Sequence, residues 1–203
     1  MTSKKFNFKG SFVLFSLAAI GALGILGIVL GVIALSPSYK ALRPIFESAQ
    51  EGAPNDYETR HLLSASMEPT LKVNDRVLID KKAYENALPK RGDIILFTPP
   101  KKLREQDIKD PFIKRVVGLP GETIEIQNGK VYINNQPIKE DYIAYPINKT
   151  TVKDKIPEHA YFVLGDNRNN SYDSQYWGYL SEDLIMGKMV SLFFPPSRAR
   201  EFD

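Results

Sequence analysis

No cysteine occurs among the 203 residues, which excludes disulfides, thiolate catalysis and cysteine-based metal sites. Histidine is nearly absent too: His61 and His159 are too few for a His-rich metal cluster. Excess charge is confined to one place. The formal net charge is +3, and Lys4, Lys5 and Lys9 account for all of it, because no other charged residue precedes Lys40. From residue 36 onward 24 basic and 24 acidic side chains cancel. A globally basic nucleic-acid-binding face is therefore not supported. There is also no βαβ alternation, glycine-rich phosphate loop or internal repeat, which argues against nucleotide-binding α/β folds and solenoids. What remains is 43% hydrophobic and 25% charged, the composition of a folded chain and not of a disordered one.

Charge is wholly missing from Phe12 to Leu35, a run of 24 residues. As a helix this run would extend roughly 36 Å, enough to cross a hydrocarbon core of about 30 Å. A cleavable secretory signal has an apolar core of only about 7–15 residues. Ala34-Leu35-Ser36 does offer a small-x-small cleavage pattern, but Pro37 follows it and disfavours an extended backbone through the scissile bond. The expectation is a retained single-pass anchor over residues 11–35, preceded by a basic cytoplasmic N-terminus over 1–10. Three lysines ahead of the span place the N-terminus in the cytoplasm and the remainder on the exported side.

Residues 36–60, with Pro37, Pro44, Gly52 and Pro54 among mixed charges, read as a linker. Beyond it short apolar runs alternate with turn residues. Expected strands are Arg76–Asp80, Asp93–Thr98, Phe112–Gly118, Thr123–Gln127, Lys130–Asn134, Ala160–Gly165 and Gly187–Phe194. Asn128-Gly129 marks a two-residue hairpin turn. A short helix is expected over Leu180–Met186, opened by Ser181-Glu-Asp. The domain at 61–203 is therefore mainly β, with a smaller inserted sub-domain near 123–157.

Three separated segments carry polar side chains in unusual settings. In Leu62-Leu-Ser64-Ala-Ser66-Met67-Glu-Pro69-Thr-Leu71 two serines lie two apart, on the same side of an extended chain. One could attack a carbonyl while the other donates to the oxyanion; equally, serines beside a turn cap it or face solvent. In Pro111-Phe-Ile113-Lys114-Arg115-Val-Val117-Gly118, strand alternation puts Lys114 on a face with Phe112 and Val116. Such a lysine either snorkels from an edge or is held desolvated, which lowers its pKa. Arg115 points the other way, towards a structural ion pair. The third segment, Gly165-Asp-Asn-Arg168-Asn-Asn-Ser171-Tyr-Asp173-Ser174, turns an apolar strand abruptly into a polar loop. Its carboxylates lack the acidic 1-3-5 spacing and terminal Glu of an EF-hand.

Taken in order, Ser66-Met-Glu-Pro-Thr-Leu71, Arg91-Gly-Asp-Ile94, Lys114-Arg-Val-Val-Gly-Leu-Pro-Gly121 and Gly165 to Ser174 resemble the signature motifs of the type I signal peptidases. These are membrane-bound serine proteases that remove signal peptides from exported proteins. The resemblance implies Ser66 as nucleophile and Lys114 as general base, with Ser64 and the Ser66 N–H as oxyanion donors. It implies further that Ser171 orients the Lys114 amine and that Asp173 braces the site. Gln175 stands where many bacterial members have arginine, which leaves Arg115 or Arg168 as partner for Asp173 and is similar to the cyanobacterial and chloroplast branch. Precursors carrying signal peptides and membrane lipid are the implied partners; no metal, cofactor or nucleic acid is. The location implied is the cell membrane or a thylakoid membrane.

Substrates of such enzymes have small residues at the first and third positions before the cut. A peptide bound as an added strand sends alternate side chains into the enzyme, which suits that rule. Leu62, Met67, Leu71 and Ile113 are candidate pocket walls by position, and each is equally explained as core. Two other readings compete: a Ser-His-Asp triad using His61 or His159, which lacks a recognisable context, and a catalytically silent, membrane-tethered peptide-binding module. The module needs neither Ser66 nor Lys114. Self-cleaving repressor proteases share Ser/Lys chemistry but carry a DNA-binding domain where this chain has its apolar run.

Overall fold

The computed structural model describes residues 56–148 and 152–202. The expected cytoplasmic tail, anchor and most of the linker lie outside the described residues. Among the described residues no helix is long and apolar enough to cross a membrane.

The fold is mainly β, built from two antiparallel sheets. The larger runs in the order β1 (Tyr57–His61), β2 (Arg76–Asp80), β11 (Ile185–Phe194), β3 (Ile94–Phe97), β4 (Phe112–Gly118), β9 (Ala160–Leu164) and β10 (Leu180–Ser181). A further short strand, β12 (Arg200–Glu201), also pairs with β11. The smaller sheet has the order β7 (Gln136–Pro137), β6 (Lys130–Ile133), β5 (Thr123–Gln127) and β8 (Val152–Lys155). The expected strands at β2, β4 and β5 match to the residue, and those at β3, β6 and β9 differ by a single residue at one or both ends. The β5–β6 hairpin turns at Asn128 and Gly129, both with positive φ (50° and 78°), the geometry that makes Asn-Gly the favoured two-residue turn.

Two expectations are corrected. Tyr57–His61 is a strand that begins inside the stretch read as linker, paired with β2 from Tyr57↔Asp80 to His61↔Arg76. Its sequence, Tyr-Glu-Thr-Arg-His, has no apolar alternation because it is an edge strand, and charged side chains suit an exposed edge. Leu180–Met186 is not a helix: it comprises β10, one 3-10 turn at Glu182–Leu184 and the start of β11. Tertiary pairing overrides the local helix pattern there, since Leu180 is opposite Tyr161 and Ile185 opposite Phe97. Two single helical turns, α1 (Lys101–Arg104) and α2 (Ser174–Trp177), are too short to leave a periodic signal in the sequence.

Three apolar clusters support the architecture. One, with Val117, Ile124, Ile126, Val131, Ile156, Phe162 and Leu164, joins the small sheet to β4 and β9. A second packs Ile95, Phe97, Val116, Tyr161 and Trp177. The third sets Leu62, Met67 and Leu71 against Val77, Ile79, Ile94, Leu96, Met189 and Leu192, so the segment around Ser66 rests on the large sheet. Complete burial of a leucine such as Leu71 contributes about 1.5–3 kcal/mol.

Candidate active site

Ser66 begins a compact turn. Glu68 N–H donates to Ala65 O at 3.1 Å and Leu71 N–H to Met67 O at 2.9 Å, while buried Met67 and Leu71 pin the turn to the sheet. Lys114 lies within β4, and the Gly165–Ser174 loop follows β9, the neighbour of β4. This adjacency brings segments distant in sequence together.

Lys114 Nζ is 2.8 Å from Ser66 Oγ, and it also donates to Ile113 O at 3.1 Å. Both residues are buried, with 5% of Lys114 and 8% of Ser66 exposed. The Lys114 amine lies 5.4 Å from the centroid of the Phe112 ring. Burial pushes the Lys114 pKa down to about 8, and the carboxylates of Asp173 and Asp166 hold it from falling further.

The loop grips the serine segment through its backbone. Asn167 N–H donates to Ser66 O at 3.1 Å, and Asn167 Nδ2 donates to Ala65 O at 3.1 Å. Gly165 allows this closeness: a Cβ built there would lie 2.2 Å from Ser171 Oγ and 2.4 Å from Ser66 O. Ser171 Oγ is buried against this glycine and, among the described residues, forms no hydrogen bond of good geometry with Lys114 or any other group. It does lie near enough to Asp173 to help hold that carboxylate's charge.

Asp173 is fully buried and caps α2. It accepts from Gly165 N–H (3.0 Å), Gln175 N–H (3.1 Å) and Gln175 Nε2 (3.1 Å). Burial raises its pKa against these hydrogen bonds. The expectation that Arg115 or Arg168 would pair with Asp173 is corrected. Arg115 forms a two-point pair with Asp166, at 2.8 and 2.7 Å, and donates to Gly92 O at 2.8 Å. Arg168 pairs with Glu140. The side-chain amide of Gln175 instead reaches Asp173 directly, as a neutral donor.

Arg91-Gly-Asp-Ile94 is scaffolding beside β4. Arg91 donates to Val117 O and Glu122, each at 2.5 Å. Asp93 accepts from Tyr84 OH, from Lys90 N–H and from Lys188 Nζ.

Ser66 and Lys114 open onto a groove of about 810 Å³, whose lining includes Leu62, Ser64, Met67, Ile113, Ser171, Tyr172 and Tyr176. Of the four candidate pocket residues, Leu62, Met67 and Ile113 reach this groove. Leu71 does not: it is wholly buried beneath the turn as core. Ser64 Oγ accepts from Ser66 N–H at 3.2 Å, so the two candidate oxyanion donors face each other. His61 lines the groove but bonds to Asn74 Oδ1 at 3.3 Å, and His159 is exposed beside Glu182. Neither makes a bond to Ser66, which removes the support for a histidine triad. Among the described residues no group of three or more His, Asp or Glu could hold a metal ion.

Sequence reasoning assigned no role to Asp166, Asn167 or Gly165, although all three stand in the loop that it singled out. The abrupt change from apolar strand to polar run was the available clue, but the partner of each side chain lies on another segment.

A mainly β chain with a buried serine and an amine at the floor of an open groove has the build of a serine hydrolase. The family described as signal peptidase, peptidase S26, matches residues 56–194. A signal peptidase I from Leptolyngbya laminosa is 47% identical over 146 residues, covering 71% of this chain and 72% of that protein. A probable signal peptidase I-1 from Synechocystis is 46% identical over 143 residues, covering 70% and 73%. A probable chloroplastic thylakoidal processing peptidase 2 from Arabidopsis thaliana is 39% identical over 146 residues, covering 71% of this chain and 40% of that one. The chain belongs to the type I signal peptidase family and is a serine peptidase.

Proposed function

We propose that this protein is a membrane-anchored endopeptidase that removes N-terminal signal peptides from exported precursors, with Ser66 as nucleophile and Lys114 as general base. The observation that carries the reading is the 2.8 Å contact between Lys114 Nζ and Ser66 Oγ inside a buried pocket that opens on a groove. Family membership and the names of the relatives support the substrate class. Residues 11–35 supply the single-pass anchor. The N-terminus is cytoplasmic, and the catalytic domain works on the exported side of the cell membrane or a thylakoid membrane.

In the reactive form Lys114 is a neutral amine, and Ser66 O–H donates to its lone pair. As Ser66 Oγ attacks the scissile carbonyl, its proton passes to Nζ. The resulting ammonium delivers that proton to the leaving amine. A neutral Lys114 then takes a proton from water as water attacks the acyl-enzyme. Rotation of Ser64 turns its O–H into the groove and frees Ser66 N–H, giving two oxyanion donors. Asp173 acts on Lys114 through its charge, Ser171 supports the Asp173 carboxylate, and Leu62, Met67 and Ile113 line the bound peptide.

The test is cleavage of an exported precursor by the detergent-solubilised chain beside Ser66→Ala and Lys114→Ala variants. Both variants lose cleavage on this reading. A Lys114→Ala protein as active as the parent would overturn the base assignment, and an intact parent that never cuts would favour a binding module.

A further inference from the structure

The segment after β11 falls beyond residue 194, where the family match ends, yet it reaches back to the turn that begins at Ser66. Arg198 Nη2 and Arg200 Nη2 both donate to the carbonyl oxygen of Thr70, at 3.1 and 3.0 Å. Arg198 Nη1 also pairs with Asp75 Oδ1 at 2.8 Å, and Asp75 is only 2% exposed. The other oxygen of Asp75 accepts from Lys72 N–H at 2.7 Å. The Asp75 backbone in turn holds the groove rim, since its carbonyl accepts from Leu62 N–H at 2.9 Å. The segment itself is fixed to the sheet: β12 pairs with Ser191 and Leu192, Phe202 N–H donates to Val190 O at 2.8 Å, and the Phe202 ring packs on the cluster beneath Met67 and Leu71.

We propose that residues 196–202 form a strap that positions the nucleophile turn, with Arg198 and Arg200 as positioning residues acting through the Thr70 carbonyl. Thr70 lies at the far end of a turn whose near end is held by the loop, through Asn167 and Ser66 O. A short turn held at both ends has little freedom to swing Ser66 Oγ away from Lys114. Two guanidinium donors on one carbonyl oxygen are charge-assisted hydrogen bonds, stronger than the peptide N–H bonds inside the turn. With them gone the turn frays from Thr70, and the attacking oxygen spends less time at attack geometry. Leu62 keeps its N–H bond to the Asp75 carbonyl and Ile113 lies on β4, outside the turn, so these groove walls stay in place and substrate binding changes little. This inference rests on the Ser66/Lys114 reading.

The experiment compares kcat, KM and pH profile of the full chain in detergent on a peptide with small residues at the first and third positions before the cut. Arg200→Gln, Arg200→Lys and the double variant Arg198→Gln/Arg200→Gln are assayed beside Ser66→Ala. The double variant is expected to lose about tenfold or more in kcat, as small misplacements of reacting groups do. Its KM and the acidic limb of its pH profile stay where the parent's are. Arg200→Gln alone loses less, and Arg200→Lys, which restores a charged donor, recovers most of the loss. A merely structural segment would lower the melting temperature without this split between kcat and KM or the rescue. Parental kcat in the double variant, or a loss that falls entirely on KM, would overturn the strap. If the double variant does not fold, the Arg200→Gln and Arg200→Lys pair decides, and parental kcat in both refutes the proposal. Cleavage by Ser66→Ala would instead remove the reading beneath it.

Discussion

Burying Lys114 next to Ser66 has a thermodynamic cost that can be measured apart from catalysis. Its pKa falls from 10.5 to about 8, chiefly by desolvation. At 1.36 kcal/mol per unit, this amounts to about 3 kcal/mol of bias against the folded ammonium form. The sign follows from proton counting. Between pH 8 and 10.5 the unfolded lysine keeps a proton that the folded one has released, so stability rises with pH across that window. Below it both states are protonated and the full cost is present; above it both are neutral and the cost is gone. Lys114→Met removes this titration from the chain. The stability difference, parent minus variant, should therefore rise by about 3 kcal/mol between about pH 7 and about pH 11. Any change in packing around the shorter side chain adds only a pH-independent constant. Urea denaturation followed by fluorescence provides the assay, because Trp177 is the only tryptophan and is 9% exposed. In the parent the same pKa should set an acidic limb of kcat/KM near pH 8, with roughly one tenth of the maximum at pH 7. A stability difference that changes by less than about 1 kcal/mol over this range would refute the desolvated lysine.

Gln175→Arg places a cation on the buried Asp173 carboxylate, which accepts from the neutral donors of Gly165 and Gln175. Asp173 raises the Lys114 pKa, so neutralising it should move the acidic limb of kcat/KM below pH 8; a limb that stays or rises contradicts this electrostatic account. Gly165→Ala puts a methyl group within 2.4 Å of Ser66 O and 2.2 Å of Ser171 Oγ, a conflict that only backbone movement relieves. Cleavage should fall by about a hundredfold and stability by about 1–3 kcal/mol, read by peptide assay and melting temperature. A variant with parental values for both would mean that the loop does not fix the serine turn.

The pattern of strands was legible because its causes are local. Short apolar runs bounded by turn residues marked β2, β4 and β5, and Asn128-Gly129 marked the hairpin between β5 and β6. Edge strand β1 escaped notice because an exposed edge needs no apolar alternation, and β10 escaped because its pairing with β9 joins residues far apart in sequence. Within the site, the segments carrying Ser66, Lys114 and Asp173 stood out by composition. Their partners did not. Arg115 was free to pair with any of several carboxylates, and only the packing of β4 against β9 sets it on Asp166. Leu71 had the position of a pocket wall, and only the direction of the turn sends it into the core.

Residue types and their order were enough to exclude cysteine chemistry, to confine the excess charge to the first nine residues, and to mark the serine and lysine segments. These are properties of composition and short-range periodicity, which no folding alters. Contact between Ser66 and Lys114, 48 residues apart, is a property of the sheet. So are the neutral donors on Asp173 and the reach of Arg198 and Arg200 back to Thr70. Each depends on strand register and on which chains run side by side, and the desolvation that lowers the Lys114 pKa exists only once those strands have closed around it.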